Sequence, residues 1–397
     1  VNRHLFVSDC GVVTPLGADK ASIAAALFSG TSDRLTLRDD LIVGRSVLVG
    51  TVDDELPALP AGFAGHICRN NRLMLAALRE IWPSVAGAVN RYGADRVAVI
   101  LGSSTSGIAE GEQALAVYRQ SGAWPQGYHY SQQEPGGLGE FAAQALGISG
   151  PAYTISAACA SSAKAFASGR RLIRAGIVDA AVVGGADTLC RTTLGGFYAL
   201  QAISKGRCNP FSVNRDGITI GEGAAAFLLS RDEGPVELLG IGESSDAHHP
   251  TAPDPTGGGA ALAIHAALRD ANLAPADIAY VNLHGTGTPL NDAMEGQAVF
   301  SVFGSETPCS STKPLTGHML GAAGGCEAAF LWMMLASADE APCLPPHCWD
   351  GQADPALPSL HLVGAGARPV AGPRLPMLST TFGFGGSNVA LILGRPC

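Results

Sequence analysis

Charge is scarce in this sequence. Only 15% of its 397 residues are Asp, Glu, Lys or Arg, against about 25% in ordinary soluble domains. The charge that is present leans acidic, at −9. A basic face for phosphate neutralisation is therefore missing, which argues against a nucleic-acid binder. The low charge comes with 47% hydrophobic residues, which excludes a disordered chain. It also suggests that much surface is hidden, as in an oligomer. No apolar run reaches the roughly 18 residues a membrane span needs. No signal-peptide pattern precedes the strand-like start at Val1 to Asp9. The ten cysteines are scattered without a C-x-x-C pair. That spacing argues against a disulfide framework and for reduced thiols in a cytoplasm.

Glycine, by contrast, is abundant, with 51 residues. Short apolar runs alternate with Ala-rich helical stretches. Strands are expected at 96–102, 178–184 and 278–283, and helices at about 160–175 and 322–336. Gly176 stands where a helix C-cap belongs. The alternation predicts an α/β protein with buried sheets. Val99 to Gly107 echoes Val281 to Thr288, each a strand running into a loop of small residues. Later in each half, a Ser/Thr-rich approach leads to an Ala-rich helix, once around Cys159 and once around His318. Together these predict a duplicated fold, divided where Arg231-Asp-Glu-Gly-Pro235 interrupts the apolar pattern. The halves are then 1–234, with the nucleophile, and 235–397, with two histidines. The Pro-rich stretch 341–358 reads as an ordered loop.

Four segments carry chemistry. In Thr154-Ile-Ser-Ala-Ala-Cys159, a strand, a tight turn and a helix starting at the cysteine are expected. Free N–H groups at a helix start favour thiolate over thiol. A buried structural cysteine fits the same residues. In Val281-Asn-Leu-His284-Gly-Thr-Gly-Thr288, an imidazole follows a buried strand directly. In Ser311-Thr-Lys313-Pro-Leu-Thr-Gly-His318, a lysine and a second imidazole precede a helix. Apolar surroundings would keep that imidazole neutral and a hydrogen-bond donor. In Thr381-Phe-Gly-Phe384-Gly-Gly-Ser-Asn388, glycines around bulky rings suit a gate, and exposed N–H groups suit an oxyanion hole.

In this order, with Arg215-Asp-Gly217 and Ser245 to Thr251 between them, the four segments resemble the β-ketoacyl-acyl carrier protein synthases of type I/II over essentially the whole chain. The resemblance implies a duplicated thiolase-like α/β fold in five layers, α-β-α-β-α. It implies an acyltransferase that works as a homodimer or as a heterodimer with a related ketosynthase subunit. Cys159 would hold an acyl chain, and His284 and His318 would stabilise the enolate left by decarboxylation of a malonyl thioester. Lys313 would support His318 electrostatically, with Glu295 as its structural partner. The oxyanion hole would be the N–H groups of Cys159 and Phe384, and Phe384 would also be the gate. Thr251, Thr286 and Thr288 match pantetheine contacts, and Thr105 and Phe382 match acyl-pocket positions. Arg69, Arg72, Lys205 and Arg207 match segments that dock an acidic carrier. No metal or redox cofactor is implied, because the substrates arrive on the 4′-phosphopantetheine of acyl carrier protein.

Some residues depart from the fatty-acid pattern. Ser212 stands where an acid is common. The stretch 128–141, with Gln132, Gln133, Glu134 and three glycines, is not the usual apolar dimer-interface sequence. Thr105 replaces a bulkier aliphatic. These departures point toward a specialised chain, polyene or polyketide-like. Rival readings are weaker. A thiolase would have a late second cysteine, which the segment at 381–388 lacks. The initiating synthases pair cysteine with histidine and asparagine, not two histidines. A non-catalytic chain-length factor would lack Cys159. A cysteine hydrolase would need a positioned water, and no residue is suited to activate one.

Overall fold

The computed structural model describes residues 4–31, 33–60 and 62–397. The first half runs β1 (Phe6–Val13), α1 (Lys20–Ser29), β2 (Leu35–Ile42), β3 (Arg45–Gly50), α2 (Arg69–Tyr92), β4 (Val97–Gly102), α3 (Ile108–Ser121), α4 (Gly137–Leu146), β5 (Ala152–Ile155), α5 (Ser161–Arg174), β6 (Ala180–Asp187), α6 (Arg191–Ala199), β7 (Ile220–Gly221) and β8 (Gly223–Ser230). The second runs β9 (Val236–Ser245), α7 (Gly258–Ala271), β10 (Tyr280–Asn282), α8 (Pro289–Phe303), β11 (Pro308–Ser310), α9 (Lys313–Thr316), α10 (Ala323–Leu335), β12 (His361–Leu362), β13 (Met377–Gly383) and β14 (Ser387–Gly394). The expected strands and helices are all there, within a few residues. The strand expected from the first residue starts at Phe6, and Val1 to Arg3 lie outside the described residues. The Pro-rich stretch has neither helix nor strand.

Strand order shows the duplication directly. One side of the sheet runs β5-β4-β6-β8-β1, and the other runs β11-β10-β13-β14-β9 with β12 added at the edge. In each, two parallel pairings are followed by two antiparallel ones. The two sides join where Phe6 and Val7 of β1 pair with Glu237 and Val236 of β9. β4 and β10 thus hold equivalent places, which accounts for the echo between their following loops. So do α5 and α10, which follow Cys159 and His318.

Layering follows from composition. α10, Ala-Gly-Gly-Cys-Glu-Ala-Ala-Phe-Leu-Trp-Met-Met-Leu, is apolar nearly all round and mostly buried. A helix of that kind belongs inside, and it packs on β8 and β1 of one side and β13 and β14 of the other. α5 lies beside it, against β4 and β6. α2 and α4 cover the outer face of the first sheet, and α7, flanked by α8, covers that of the second. The result is five layers, α-β-α-β-α. Small residues let the central helices approach. A Cβ on Gly102 would lie 2.3 Å from the backbone of Ser161 and Ser162, where α5 begins. That contact fixes the height of the Cys159 turn relative to the sheet.

Two substitutions test this. Gly102→Ala is expected to cost about 3 kcal/mol, because a backbone-to-backbone overlap has no side chain to yield. Gly122→Ala has open space around it but a left-handed φ of 74°, and is expected to cost about 1 kcal/mol. Urea denaturation measures both, and equal costs would contradict the packing argument.

Candidate active site

Cys159 sits between β5 and α5. Ala158 is in the left-handed region at φ 48°. The turn is closed by Ser161, whose Oγ accepts the Ala157 N–H and donates to the Ala158 carbonyl. The helix itself starts at Ser161, not at the cysteine. Burial, not the helix start, governs the thiol. Loss of solvent pushes Cys159 up to about 11, while the Lys313 ammonium and the Phe384 N–H pull it down with less effect. Burial thus favours the thiol over the expected thiolate in the resting site.

His318 is brought to the thiol by backbone pairing across the two halves. Its N–H donates to Thr219 O at 2.7 Å, and its carbonyl accepts from Gly221 N. Gly221 permits this, since a Cβ there would lie 2.3 Å from Thr316 O. His318 Nε2 then lies 3.0 Å from Cys159 Sγ. His284 follows β10 and stands edge-on to His318, with ring centroids 5.1 Å apart. One ligand atom from each of Cys159, His284 and His318 falls within 4.8 Å of the other two. Both imidazoles are held well below their usual range, first by burial and then by the Lys313 charge. They are neutral at physiological pH.

The structure corrects one expectation about Lys313. Its ammonium, 1% exposed, pairs with Glu327 Oε1 at 2.5 Å. Glu295 instead accepts the N–H groups of His284 at 2.7 Å and Gly285 at 2.6 Å, and the Thr380 hydroxyl at 2.9 Å. It buttresses the His284 loop, and burial raises it to about 7. Sequence reasoning missed Glu327, although it is the one charged residue in α10. It also missed Asp187, the acid that ends the buried strand β6. Asp187 accepts from Ser103, Ser104 and Thr105 after β4 and from Gly321 N after His318, so it ties the two halves together below the thiol.

A cavity of about 260 Å³ opens onto these groups. Its walls include Cys159, His284, His318, Thr251, Thr286, Thr288, Phe382 and Phe384. The Gly383 backbone passes beside the Cys159 turn, where a Cβ would lie 3.0 Å from Ala157 O and 3.4 Å from Cys159 N. Phe384 is 38% exposed and rests against Phe197 at 5.3 Å, at the cavity's outer wall. Thr105 is not among the walls. Its hydroxyl donates to Asp187 and accepts from Thr188 N, so the acyl-pocket role expected of it finds no wall here. Arg69 and Arg72 line a separate groove. Arg69 is paired with Glu222, and Arg72 donates to the carbonyls of Leu56 and Pro57. Lys205 and Arg207 are exposed. Ser212 donates to Asp350, and Gln132 is buried, donating to the Ile67 and Gly127 carbonyls. All ten cysteines are free. No helix among the described residues is long and apolar enough to cross a membrane.

Residues 10–234 match the family described as Beta-ketoacyl synthase, N-terminal domain, and residues 236–346 match Beta-ketoacyl synthase, C-terminal domain. The 3-oxoacyl-[acyl-carrier-protein] synthase 2 of Coxiella burnetii (strain RSA 493 / Nine Mile phase I) is 30% identical over 420 residues, covering 99% of each chain. Among solved structures, the ketosynthase ApeO in complex with its chain length factor ApeC, from Xenorhabdus doucetiae, is 46% identical with a TM-score of 0.93, covering 99% of this chain and 98% of that one. The ishigamide ketosynthase/chain length factor is 26% identical with a TM-score of 0.87, covering 100% of both chains.

The burial argument makes a kinetic prediction. Iodoacetamide labelling of Cys159 is expected to keep rising with pH between about 6 and 9.5, with no plateau near an ordinary thiol pKa of about 8.5. Lys313→Ala is expected to slow labelling at every pH, because the charge that favours thiolate is gone. Peptide mapping of labelled Cys159 gives the rates. A plateau below pH 8 would show that the turn, not burial, sets the thiol.

Proposed function

Because the chain belongs to the β-ketoacyl synthase family, we propose that its cavity extends an acyl chain by two carbons through decarboxylative Claisen condensation with a malonyl-carrier. The observation that carries the reading is the meeting of a buried thiol and two buried neutral imidazoles on one cavity wall.

In the first stage Cys159 Sγ attacks the thioester carbon of an acyl-carrier. Its proton leaves on the released carrier thiol, and the acyl group stays on sulfur. The Cys159 and Phe384 N–H groups serve the tetrahedral oxyanion. In the second stage the malonyl-carrier occupies the cavity, its pantetheine arm against Thr251, Thr286 and Thr288. His284 and His318 donate hydrogen bonds to its thioester carbonyl. The bond to carbon dioxide breaks and its electron pair becomes an enolate. The enolate carbon attacks the acyl carbon on Cys159, a β-ketoacyl-carrier departs, and the thiolate takes a proton. Neutral imidazoles suit this role, since a hydrogen bond from each stabilises the enolate without transferring a proton to it. Neither stage draws on a metal or redox cofactor, and the pantetheine belongs to the carrier. Burial first, and then Lys313 held by Glu327, favours the neutral form of both rings. The division of the chain at residues 234 and 235 belongs to this proposal, with the thiol on one half and both imidazoles on the other.

The likeness to a ketosynthase solved with its chain length factor supports a heterodimer with a related subunit and a specialised, polyene or polyketide-like chain. Retention of Cys159, His284, Lys313 and His318 assigns this chain the catalytic role in such a pair. The edge strand β5, with Tyr153 and the exposed Trp124 and Tyr130, offers a sheet edge and apolar surface for the partner. The acidic carrier would be met by Lys205 and Arg207. Arg69, Arg72 and Arg207 each have partners of their own with which the carrier would compete.

Cys159→Gln tests the reaction. Condensation is expected to vanish while malonyl-carrier decarboxylation persists, with a rate nearly flat from about pH 6 to 8 because neither imidazole titrates there. Loss of decarboxylation in a folded Cys159→Gln protein would contradict the assignment of His284 and His318. For docking, Lys205→Glu with Arg207→Glu is expected to raise KM for acyl-carrier roughly tenfold while leaving turnover of small thioesters unchanged. An equal effect on both substrates would move the docking site elsewhere.

A further inference from the structure

We infer that Cys159, His284 and His318 also form a zinc site, one that takes the metal reversibly and silences the thiol. The metal site rests on geometry, and the silencing rests on the reading of Cys159 as nucleophile. One donor atom of each residue already lies within 4.8 Å of the other two, and His318 Nε2 is 3.0 Å from Cys159 Sγ. Zinc bonds of about 2.3 Å to sulfur and about 2.0–2.1 Å to nitrogen place tetrahedral ligands roughly 3.3–3.6 Å apart. Small side-chain shifts therefore close the three around one ion. All three line the cavity, so the fourth position faces open space and takes water or an anion.

The donor set selects the metal. One thiolate and two neutral imidazoles suit zinc, whereas Mg²⁺ and Ca²⁺ require oxygen ligands. Binding converts the thiol and a zinc ion into a zinc thiolate and a proton, with no change of oxidation state.

Two features keep the site reversible. Dedicated zinc sites anchor the far nitrogen of each histidine on a carbonyl or carboxylate, but Nδ1 of His318, whose Nε2 faces the thiol, is buried with no hydrogen-bond partner among the described residues, and so is Nδ1 of His284. The Lys313 ammonium also opposes a cation, although its pairing with Glu327 moderates that. The arrangement serves catalysis first and admits zinc as a competitor for the same atoms.

The test is zinc titration of the whole protein against a chromophoric chelator, with Mg²⁺ and Ca²⁺ as controls. One zinc per chain is expected. Affinity should fall by more than about 100-fold in Cys159→Ala, beyond what loss of a supporting hydrogen bond costs. Zinc should block iodoacetamide labelling of Cys159, and chelator should restore it. Cobalt added to the unsubstituted protein should give a sulfur-to-metal charge-transfer band, a readout independent of how any variant folds. Equal zinc affinity in the wild type and Cys159→Ala, or absence of that band, would overturn the site. If zinc masks Cys159 yet leaves condensation turnover unaffected, the metal site stands and the reading of this thiol as nucleophile fails.

Discussion

Removing one thiol, two imidazoles and an ammonium from water at a single point is the constraint on which the rest of this structure depends. An unpaired buried charge costs several kcal/mol. The site meets that cost by allowing only one positive charge, on Lys313, and pairing it with Glu327. Burial comes first in keeping His284 and His318 neutral, and the same ammonium adds to it, while at Cys159 the ammonium pulls against the burial that favours the thiol. The protonation states that suit a neutral hydrogen-bond pair beside a thiol therefore share burial as their first cause.

Such a site needs walls on all sides, and the duplicated fold supplies them. The Cys159 turn comes from the first half, whereas His284, Lys313, His318 and the Phe384 loop come from the second. The halves are joined by close backbone contacts, of which the one at Gly221 admits no side chain. Gly221 lies against Thr316, and Gly383 passes beside the Cys159 turn. Asp187 adds a polar joint, gathering the loop after β4 and the Gly321 N–H onto one carboxylate. Several of the many glycines thus stand where two backbones meet around the reacting groups, a different reason from turn-making alone.

Much of this was legible in the residues. Cys159, His284, Lys313 and His318 each follow or precede a small-residue loop, and that local pattern survives folding. The duplication was legible because β4 and β10, and α5 and α10, carry the same kind of sequence at equivalent places. Pairing partners were not legible. Glu327 lies fourteen residues after Lys313 on a separate helix, and only the turn at 317–322 brings them together, so Glu295 looked the better partner. Thr105 was placed in the acyl pocket by position, but its hydroxyl turns to Asp187, an acid that nothing nearby in sequence announces. The opposing pull on the thiol was not legible, because the start of a helix is local, while burial is a property of the whole fold.

The central claim is that this cavity stores an acyl group on Cys159 between two carrier visits. Intact-mass spectrometry after mixing the protein with candidate acyl-carriers, followed by peptide mapping, reads that intermediate directly. The account predicts a mass increase equal to one acyl group, located on Cys159 and discharged when malonyl-carrier is added. An adduct located on another cysteine, or an adduct on Cys159 that malonyl-carrier leaves in place, would contradict it.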